Sequence, residues 1–474
     1  MTDQGSSTSN SAQAARKASP SSPDISSELP HQEPPYPAPR YAWAVVALLL
    51  LIYTVSFIDR QVLALLVGPI KADLDVSDLE FGLLTGLSFA LFYTFFGIPF
   101  ARLVDSRSRR GLIAFGIAVW SIATAACGLA RSFSMLFLAR MGVGIGEATL
   151  TPAANSLISD LFAPHKRGRA ISIYTLGIPF GSALAFLFGG AVIELVSSAG
   201  TRTLPLFGEI RGWQMTFILV GLPGLLLSAA MLIFVKEPFR RGRAMTAAGS
   251  STVPVKETVR YFLQRWRVFV LGFIGIAFLS ALGYGTIYFI GAFYGRVHGF
   301  TPGQVGLVFG LVMLIAGTGG ILTAGVITDR WMAKGRNDTH FRLLILAILC
   351  GAPFAFSFPM VGSPILATGL LALSIFFNNW VWGTAYAGVA AASPNELRGQ
   401  ATAIYLFVVN LIGMGLGPTM FGFFTTTVFA DDSKIDLAYL WMALLCLPIA
   451  LVCLLIARPA FAKQLAEVRA FEGH

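Results

Sequence analysis

The sequence RMGVGIGEA, residues 140–148, puts an arginine and a glutamate inside the long apolar run 136–162. A charged side chain at the centre of a bilayer costs at least about 2.5–3.5 kcal/mol, so both should face a protein interior or a water-filled cavity. Arg140 and Glu147 would lie on nearly the same helix face, about 10 Å apart along the axis. We therefore expect each to find partners on a neighbouring helix.

A second apolar run carries Asp59 and Arg60. The simplest arrangement sets the two pairs against each other in one buried polar cluster. Burial favours a protonated carboxylate and a nearby arginine favours the ionised one, so Asp59 and Glu147 are predicted to bind and release protons and are the candidate proton-coupling residues. Arg60 and Arg140 stay charged and can hold a carboxylate or bind a phosphate in a fork. The alternative is a locked cluster that only fixes helix packing.

The composition predicts an all-α polytopic membrane protein. Of the 474 residues, 55% are hydrophobic and 12% are charged, and the mean hydropathy is +0.71. Several apolar runs exceed the roughly 20 residues that a spanning helix needs. About twelve spans are expected, at residues 43–67, 81–104, 111–130, 134–162, 169–196, 214–236, 267–294, 304–328, 342–360, 363–391, 400–428 and 436–457.

The net charge of +10 reflects membrane topology, because most of the 34 Lys and Arg residues fall on the side that holds both termini. The positive-inside rule then predicts cytoplasmic termini, and the same distribution of cations predicts no nucleic-acid partner. We expect no metal site, because neither Cys nor His has ligand spacing. No cofactor is expected beyond a proton gradient. The absence of a Gly-x-x-x-x-Gly-Lys-Ser/Thr pattern excludes an ATP pump. We do not expect an enzyme, because the sequence shows no combination of nucleophile, base and orienting residue.

The longest polar stretch between spans divides them six and six, and the two halves repeat. Residues 101–110 recur at 325–336, and residues 167–174 recur at 398–405. Parallel halves of this kind are typical of secondary transporters with a midplane site. The expected divisions are a disordered cytoplasmic tail (1–40), an N-terminal six-helix bundle (41–238), a cytoplasmic linker (239–266), a C-terminal six-helix bundle (267–458) and a cytoplasmic tail (459–474).

Residues 41–460 resemble the major facilitator superfamily of transporters. The loop after the second span matches that family's G-x-L-x-D-R-x-G-R-R pattern at Leu103, Asp105, Arg109 and Arg110, and departs from it at three positions. The Arg140-x-x-x-Gly-x-Gly run resembles the family's fourth-helix motif, whose arginine is associated with proton coupling. The resemblance implies two pseudo-symmetric six-helix bundles that alternate access to a central site.

Three segments of the sequence are similar to the spinster-like branch of the superfamily. They are FIDR at 57–60, GIGEA at 144–148 and IPFGS at 178–182. Spinster proteins move lysolipids and sphingoid lipids such as sphingosine-1-phosphate, so the resemblance implies a bacterial homologue in the plasma (bacterial inner) membrane, with an amphiphilic substrate. The first two segments also occur in the organic-anion branch.

The second half offers aromatic and amide side chains where the first half offers charges. A site with charged side chains on one side and aromatic and amide side chains on the other suits an amphiphile with a charged head and an apolar body. Aromatic packing is the alternative. The predicted substrate-binding residues of this half are Tyr284, Tyr288, Asn378, Asn379, Trp382 and Asn410.

Charged residues at cytoplasmic span ends are predicted to form gate ion pairs that hold the outward-open state. Snorkelling topology charges are the alternative. The gate residues are Asp105, Arg109, Arg110, Asp329 and Arg330, with Arg336 nearby.

The sequence thus predicts a monomeric secondary transporter of lysophospholipid or sphingoid-phosphate amphiphiles, coupled to protons. The first competitor is a proton symporter of small organic anions. The second is a membrane receptor or channel without carrier activity.

Overall fold

The computed structural model describes residues 34–198, 202–204, 208–241 and 254–472. Within them, twelve helices are long and apolar enough to cross a membrane. The first six are span 1 (Pro39–Leu65), span 2 (Asp78–Ser106), span 3 (Arg109–Cys127), span 4 (Phe133–Leu161), span 5 (Pro164–Val196) and span 6 (Gly212–Phe234). The second six are span 7 (Phe269–His298), span 8 (Pro302–Ala333), span 9 (Thr339–Met360), span 10 (Pro364–Ala391), span 11 (Arg398–Val428) and span 12 (Asp432–Phe471). The predicted all-α architecture is confirmed.

Three smaller elements connect the spans. A short helix, Val67–Leu74, follows span 1, and an antiparallel hairpin of Arg202–Leu204 and Gly208–Ile210 precedes span 6. The linker helix, Val255–Gln264, precedes span 7. Most of the predicted N-terminal tail lies outside the described residues, as does the middle of the predicted linker.

Spans 2 and 8 begin with the same device, which reflects the internal repeat. The Ser77 hydroxyl accepts from the Glu80 amide, and the Glu80 carboxylate accepts from the Ser77 amide at 2.8 Å. Thr301 and Gln304 form the equivalent box before span 8. Each box satisfies two amides that a helix start leaves without partners, so it fixes the residue at which the span begins.

Several spans are broken near their middles. Span 4 consists of Phe133–Glu147 and Leu150–Leu161, and span 5 breaks between Thr175 and Gly177. At such a break the helix axis can change direction, so the two segments of one span need not be collinear. Wider π-helical turns, which are frequent at functional sites, occur at Leu83–Leu87, Met313–Gly317 and Val409–Leu416.

The two bundles meet closely at the end opposite Pro39 and Phe471, which we call the far end. At the crossing of spans 5 and 8, a Cβ on Gly190 would lie 2.9 Å from the carbonyl oxygen of Pro302. At the crossing of spans 2 and 11, a Cβ on Gly82 would lie 2.9 Å from the Cα of Thr419. Only glycine permits these backbone contacts, so they form a tight seal between the bundles.

At the other end, which we call the terminal end, the span segments pack mainly within their own bundle. The segments Leu150–Leu161 and Pro164–Thr175 contact elements of the first bundle. The segments Trp380–Ala391 and Arg398–Val408 contact elements of the second bundle. Within the described residues, the molecule is therefore closed at the far end and divided at the terminal end.

Span 12 continues as a helix through the predicted C-terminal tail, up to Glu472. Phe461 is buried and stacks on Phe341 with ring centroids 4.3 Å apart. Gln464 donates to the Ala392 carbonyl at 3.1 Å. This segment therefore belongs to the second bundle and is not a detached tail, because its apolar residues recur at helical spacing and find a partner face.

Candidate functional site

The four charged residues predicted inside the membrane form one buried cluster in the first bundle. Exposures are 0% for Asp59, 4% for Arg60, 0% for Arg140 and 2% for Glu147. Arg140 lies about two turns from the far-end start of span 4. The cluster therefore sits just beneath the seal between the bundles, on the far side of the midplane.

Arg60 forms an ion pair with Glu147, through Nη2 and Oε2. The Ser56 hydroxyl donates to the same carboxylate oxygen at 2.8 Å. The Arg60 guanidinium also lies over the Phe57 and Phe89 rings, at 4.7 and 4.4 Å from their centroids. These contacts hold Arg60 in a dry aromatic setting, where cation–π attraction is strongest.

Arg140 is fully buried, and no described residue accepts a hydrogen bond from any of its three guanidinium nitrogens. Its carbon Cζ lies 5.5 Å from the Phe89 ring centroid. A buried donor without an acceptor is costly, and more so when it is charged. The site therefore has unused capacity to bind an anion at Arg140.

Each buried carboxylate also keeps one oxygen without a partner. Asp59 accepts from the Thr124 hydroxyl at 3.4 Å through Oδ2, while its Oδ1 has no donor among the described residues. The Oε1 of Glu147 likewise has none. Asp59 lies within electrostatic range of Arg140 and Glu147. Either acid could take a proton on its unused oxygen without losing its existing hydrogen bond.

The second bundle faces the cluster with uncharged side chains. Arg60 Nη1 lies 3.9 Å from the Met414 sulfur. Tyr288 is fully buried, its hydroxyl has no partner among the described residues, and it lies within electrostatic range of Arg60 and Arg140. Tyr284 is 9% exposed and also lies near Arg60. The structure thus brings two predicted residues, Tyr284 and Tyr288, to the cluster.

Trp382 extends this wall, since its ring meets that of Tyr284 edge-on at 5.4 Å. The predicted asparagines differ. Asn378 donates to the Leu279 carbonyl at 3.3 Å and lines a small pocket of the second bundle, formed by spans 7, 9, 10 and 12.

Asn379 donates to the Ile375 carbonyl one turn earlier, at 2.8 Å. Both Asn378 and Asn379 therefore use an amide hydrogen on a backbone carbonyl of their own bundle. Asn410 lies half-buried in the π-helical turn Val409–Leu416 of span 11, beside Met414.

The predicted gate residues of the first bundle have partners within that bundle. Arg109 pairs with Asp160 at the end of span 4, and with Glu237 after span 6, at 2.7 Å. Arg110 donates to the Val235 carbonyl at 3.2 Å. Arg109 and Arg110 therefore fasten span 3 to its neighbours in this state, since Asp160, Glu237 and Val235 all belong to the first bundle.

The contacts of Arg109 and Arg110 change the pKa of the Glu237 carboxyl. Burial opposes ionisation of its carboxyl, but hydrogen bonds from the Arg110 amide, the Arg109 guanidinium and the Ser108 hydroxyl outweigh burial and lower its pKa below the usual value. The carbonyl oxygen of Asp105 accepts from Arg240, which follows Glu237. The exit of span 6 is thus tied to the loop between spans 2 and 3.

Asp329 and Arg330 are exposed, and neither forms an ion pair with any residue in the described parts of the chain. Arg336 lies over the Trp331 ring at 5.6 Å. Among the described residues, Asp329 and Arg330 therefore form no gate ion pair between the bundles in this state, and the gate stays a prediction for the opposite one.

A different ion-pair network closes the far end, and the sequence interpretation missed it. Asp78 is fully buried and accepts from Arg296 through both oxygens, at 2.6 and 2.7 Å. Lys71 joins Asp78 to Asp432, each at 2.5 Å. Lys71 and Asp78 belong to the first bundle, and Arg296 and Asp432 to the second. The network therefore links the two bundles beside the glycine seal.

Comparisons with known proteins agree with this architecture. The Major Facilitator Superfamily model matches residues 49–418. An MFS-type efflux pump of Mycolicibacterium smegmatis is 30% identical over 399 residues, covering 83% of this chain and 86% of that protein. A probable L-galactonate transporter of Escherichia coli is 23% identical over 400 residues, covering 80% and 83%.

Among solved structures, a bacterial homolog of the human lysosomal transporter Spinster, in an inward-facing and unoccupied conformation, matches with a TM-score of 0.75 and 28% identity. The match covers 92% of this chain and 99% of that one. The predicted resemblance to spinster proteins is confirmed at the level of fold and sequence. The chain is an integral membrane transporter that belongs to the Major Facilitator Superfamily.

Proposed function

We propose that this transporter moves amphiphilic lipids of the lysophospholipid or sphingoid-phosphate type, driven by a proton gradient. The observation that carries the proposal is the buried Arg140 guanidinium, which has no acceptor among the described residues, beside an uncharged aromatic wall. A phosphate head group would satisfy its planar fork of donors. The apolar chain would then lie against Tyr284, Tyr288 and Trp382.

The two buried acids would couple this binding to protons. Protonation of Glu147 removes the charge that holds Arg60 in its ion pair, so Arg60 would become available to the head group. Protonation of Asp59 removes a negative charge within electrostatic range of Arg140. Either step changes the charge balance of a dry site, where electrostatic interactions are strong. Both acids are therefore assigned to coupling, and the test below separates them.

The closed far end and divided terminal end support a cycle of alternating access. Because most cations lie on the terminal side, we assign that side to the cytoplasm, and the state described is then inward-open. We assign the protein to the bacterial inner membrane as a monomer. Return to the outward-open state requires that the Asp78–Arg296 contacts and the glycine seal separate.

A second candidate function is proton-coupled symport of a small organic anion. The galactonate-transporter relative favours it, and a free carboxylate could also satisfy Arg140. A small organic anion accounts less well for the uncharged side chains of the second bundle. A small polyhydroxy acid needs partners for its hydroxyl groups, whereas Asn378 and Asn379 each donate an amide hydrogen to a backbone carbonyl.

The test is flux of a labelled lysophospholipid in proteoliposomes, with and without an imposed pH gradient. Wild type is compared with Asp59→Asn, Glu147→Gln and Arg140→Lys, and Lys434→Gln serves as an exposed control. We expect gradient-driven flux in wild type and control. The acid variants should lose the response to the gradient, and Arg140→Lys should need roughly tenfold more lipid because it cannot form the fork.

The same vesicles are then given a labelled hexonate. Hexonate flux without lysolipid flux would refute the lipid proposal and select the organic-anion candidate. Lysolipid flux that ignores the gradient in every variant would refute the coupling role of Asp59 and Glu147.

A further inference from the structure

The linker helix, Val255–Gln264, has one face fixed to the second bundle. Phe262 is 4% exposed and stacks on Phe269 with ring centroids 4.3 Å apart. Thr258 is fully buried and its hydroxyl bonds to the side-chain oxygen of Gln400 at 2.5 Å. These contacts set the rotation of the helix about its own axis, and so determine which residues face outward.

The outward face carries an apolar stripe next to a basic one. Val259, Leu263 and Trp266 are 40%, 60% and 47% exposed. Val259 and Leu263, four residues apart, share one stripe of the helix, and Trp266 follows in the turn 265–268 that leads to span 7. Lys256 and Arg260 are exposed, and the same spacing rule places them on the adjacent stripe. A protein surface that faces water rarely exposes three large apolar side chains side by side.

The position and charge of this face indicate what covers it. Only residues 265–268 separate the helix from the start of span 7 at Phe269, so the helix lies at the level where the span enters the membrane. Neither Lys256 nor Arg260 forms an ion pair with a described residue. Glu257, the one acid of the helix, is exposed and stands three residues before Arg260, so the two side chains are neighbours on the helix surface. With two cations and one acid, the exposed face therefore carries a net positive charge beside apolar surface.

We propose that the linker helix binds anionic phospholipid head groups of the leaflet at the terminal end. Val259, Leu263 and Trp266 insert among the upper acyl chains, while Lys256 and Arg260 contact the phosphates. This division of labour is that of an interfacial amphipathic helix. The opposite face of the linker helix is hydrogen-bonded to Gln400 of span 11, which borders the central site. A linker helix with bound lipid would therefore be anchored to that span.

The test is native mass spectrometry of the full chain released from mixed phosphatidylglycerol and phosphatidylcholine micelles. The variant is Lys256→Gln with Arg260→Gln. The matched control, Lys166→Gln with Lys334→Gln, removes two exposed cations elsewhere at the terminal end. At low salt we expect phosphatidylglycerol adducts to fall roughly thirtyfold in the variant, about fivefold for each cation, and to stay near wild type in the control.

Equal loss in variant and control would overturn the proposal, because it would indicate general charge attraction. Equal binding of the two lipids by wild type would overturn it as well, since the face would then be merely apolar. Leu263→Ser with Trp266→Ser keeps both cations and should weaken adducts of both lipids while leaving their ratio unchanged. All the substituted side chains are half-buried or exposed, so gel-filtration profiles should match wild type.

Discussion

Removal of Arg296 should open the far end. Arg296 belongs to the second bundle and grips the buried Asp78 of the first through two hydrogen bonds. In an outward-open state the bundles separate here, and both side chains would be hydrated. The substitution Arg296→Gln therefore weakens the closed far end and leaves the open one nearly unchanged.

The magnitude follows from burial and from the remaining partner. Loss of one partner from a buried ion pair costs about 3–5 kcal/mol. Here the Arg296 side chain is 23% exposed, and Lys71 stays 2.5 Å from Asp78. We therefore take about 2 kcal/mol, which corresponds to roughly a thirtyfold change in the ratio of open to closed molecules.

The assay is double electron–electron resonance between spin labels on the far end, one on each bundle. Met135 and Ile365 are suitable positions, with exposures of 50% and 85%, in a chain whose native cysteines are replaced. Arg296→Gln should raise the long-distance population strongly. Lys434→Gln removes an exposed cation from the same side and should leave the distances unchanged. Identical distance distributions for wild type and Arg296→Gln would refute the gate.

Three further results are expected. Gly190→Ala should lengthen the same distances, because its Cβ would lie 2.9 Å from the Pro302 carbonyl oxygen, whereas Gly325→Ala, with nothing within 4 Å of its Cβ, should not. Arg140→Gln should raise thermal stability in the absence of substrate, since it removes a buried charge without acceptors; an unfolding scan that shows a lower melting temperature would contradict this. The pKa of Glu237 is lowered by its hydrogen bonds, so its contribution is present above about pH 4.3, the ordinary value, and is lost as pH falls further. Hydrogen exchange at the exit of span 6 should rise below that pH in wild type, and already at pH 7 in Glu237→Gln; equal exchange in both at pH 7 would refute the role.

The spans were predictable because a bilayer demands long apolar helices, and length and hydropathy reveal these directly. The exception is the end of span 12. Its last residues are mixed in polarity and were interpreted as a tail, yet Phe461 and Gln464 find partners across the helix surface. Hydropathy does not report such contacts, because they depend on which neighbour the helix meets.

The cluster was predictable for a related reason, since charges inside apolar runs must converge. Its internal pairing was not. Arg60 takes Glu147, and Arg140 is left without an acceptor among the described residues. The choice depends on the rotation of spans 1 and 4 about their axes, which the spacing within each span does not determine.

The far-end network was missed because Asp78 and Arg296 stand at span ends, where a charge is ordinary. One signal was available. The two residues carry opposite charges, lie on the same side of the membrane and belong to different bundles. The predicted terminal gate drew attention instead because it carries a repeated motif, and its two arginines in the first bundle pair with Asp160 and Glu237 or with backbone in this state.

The central claim is that the buried cluster links an anionic head group to protons. The most direct test is proton uptake on addition of a lysophospholipid to the purified, weakly buffered protein, followed with a pH indicator. Wild type should take up protons in proportion to bound lipid, and Asp59→Asn with Glu147→Gln should take up none while still binding through Arg140. Lipid binding by wild type without proton uptake, or equal uptake by the double variant, would contradict the account.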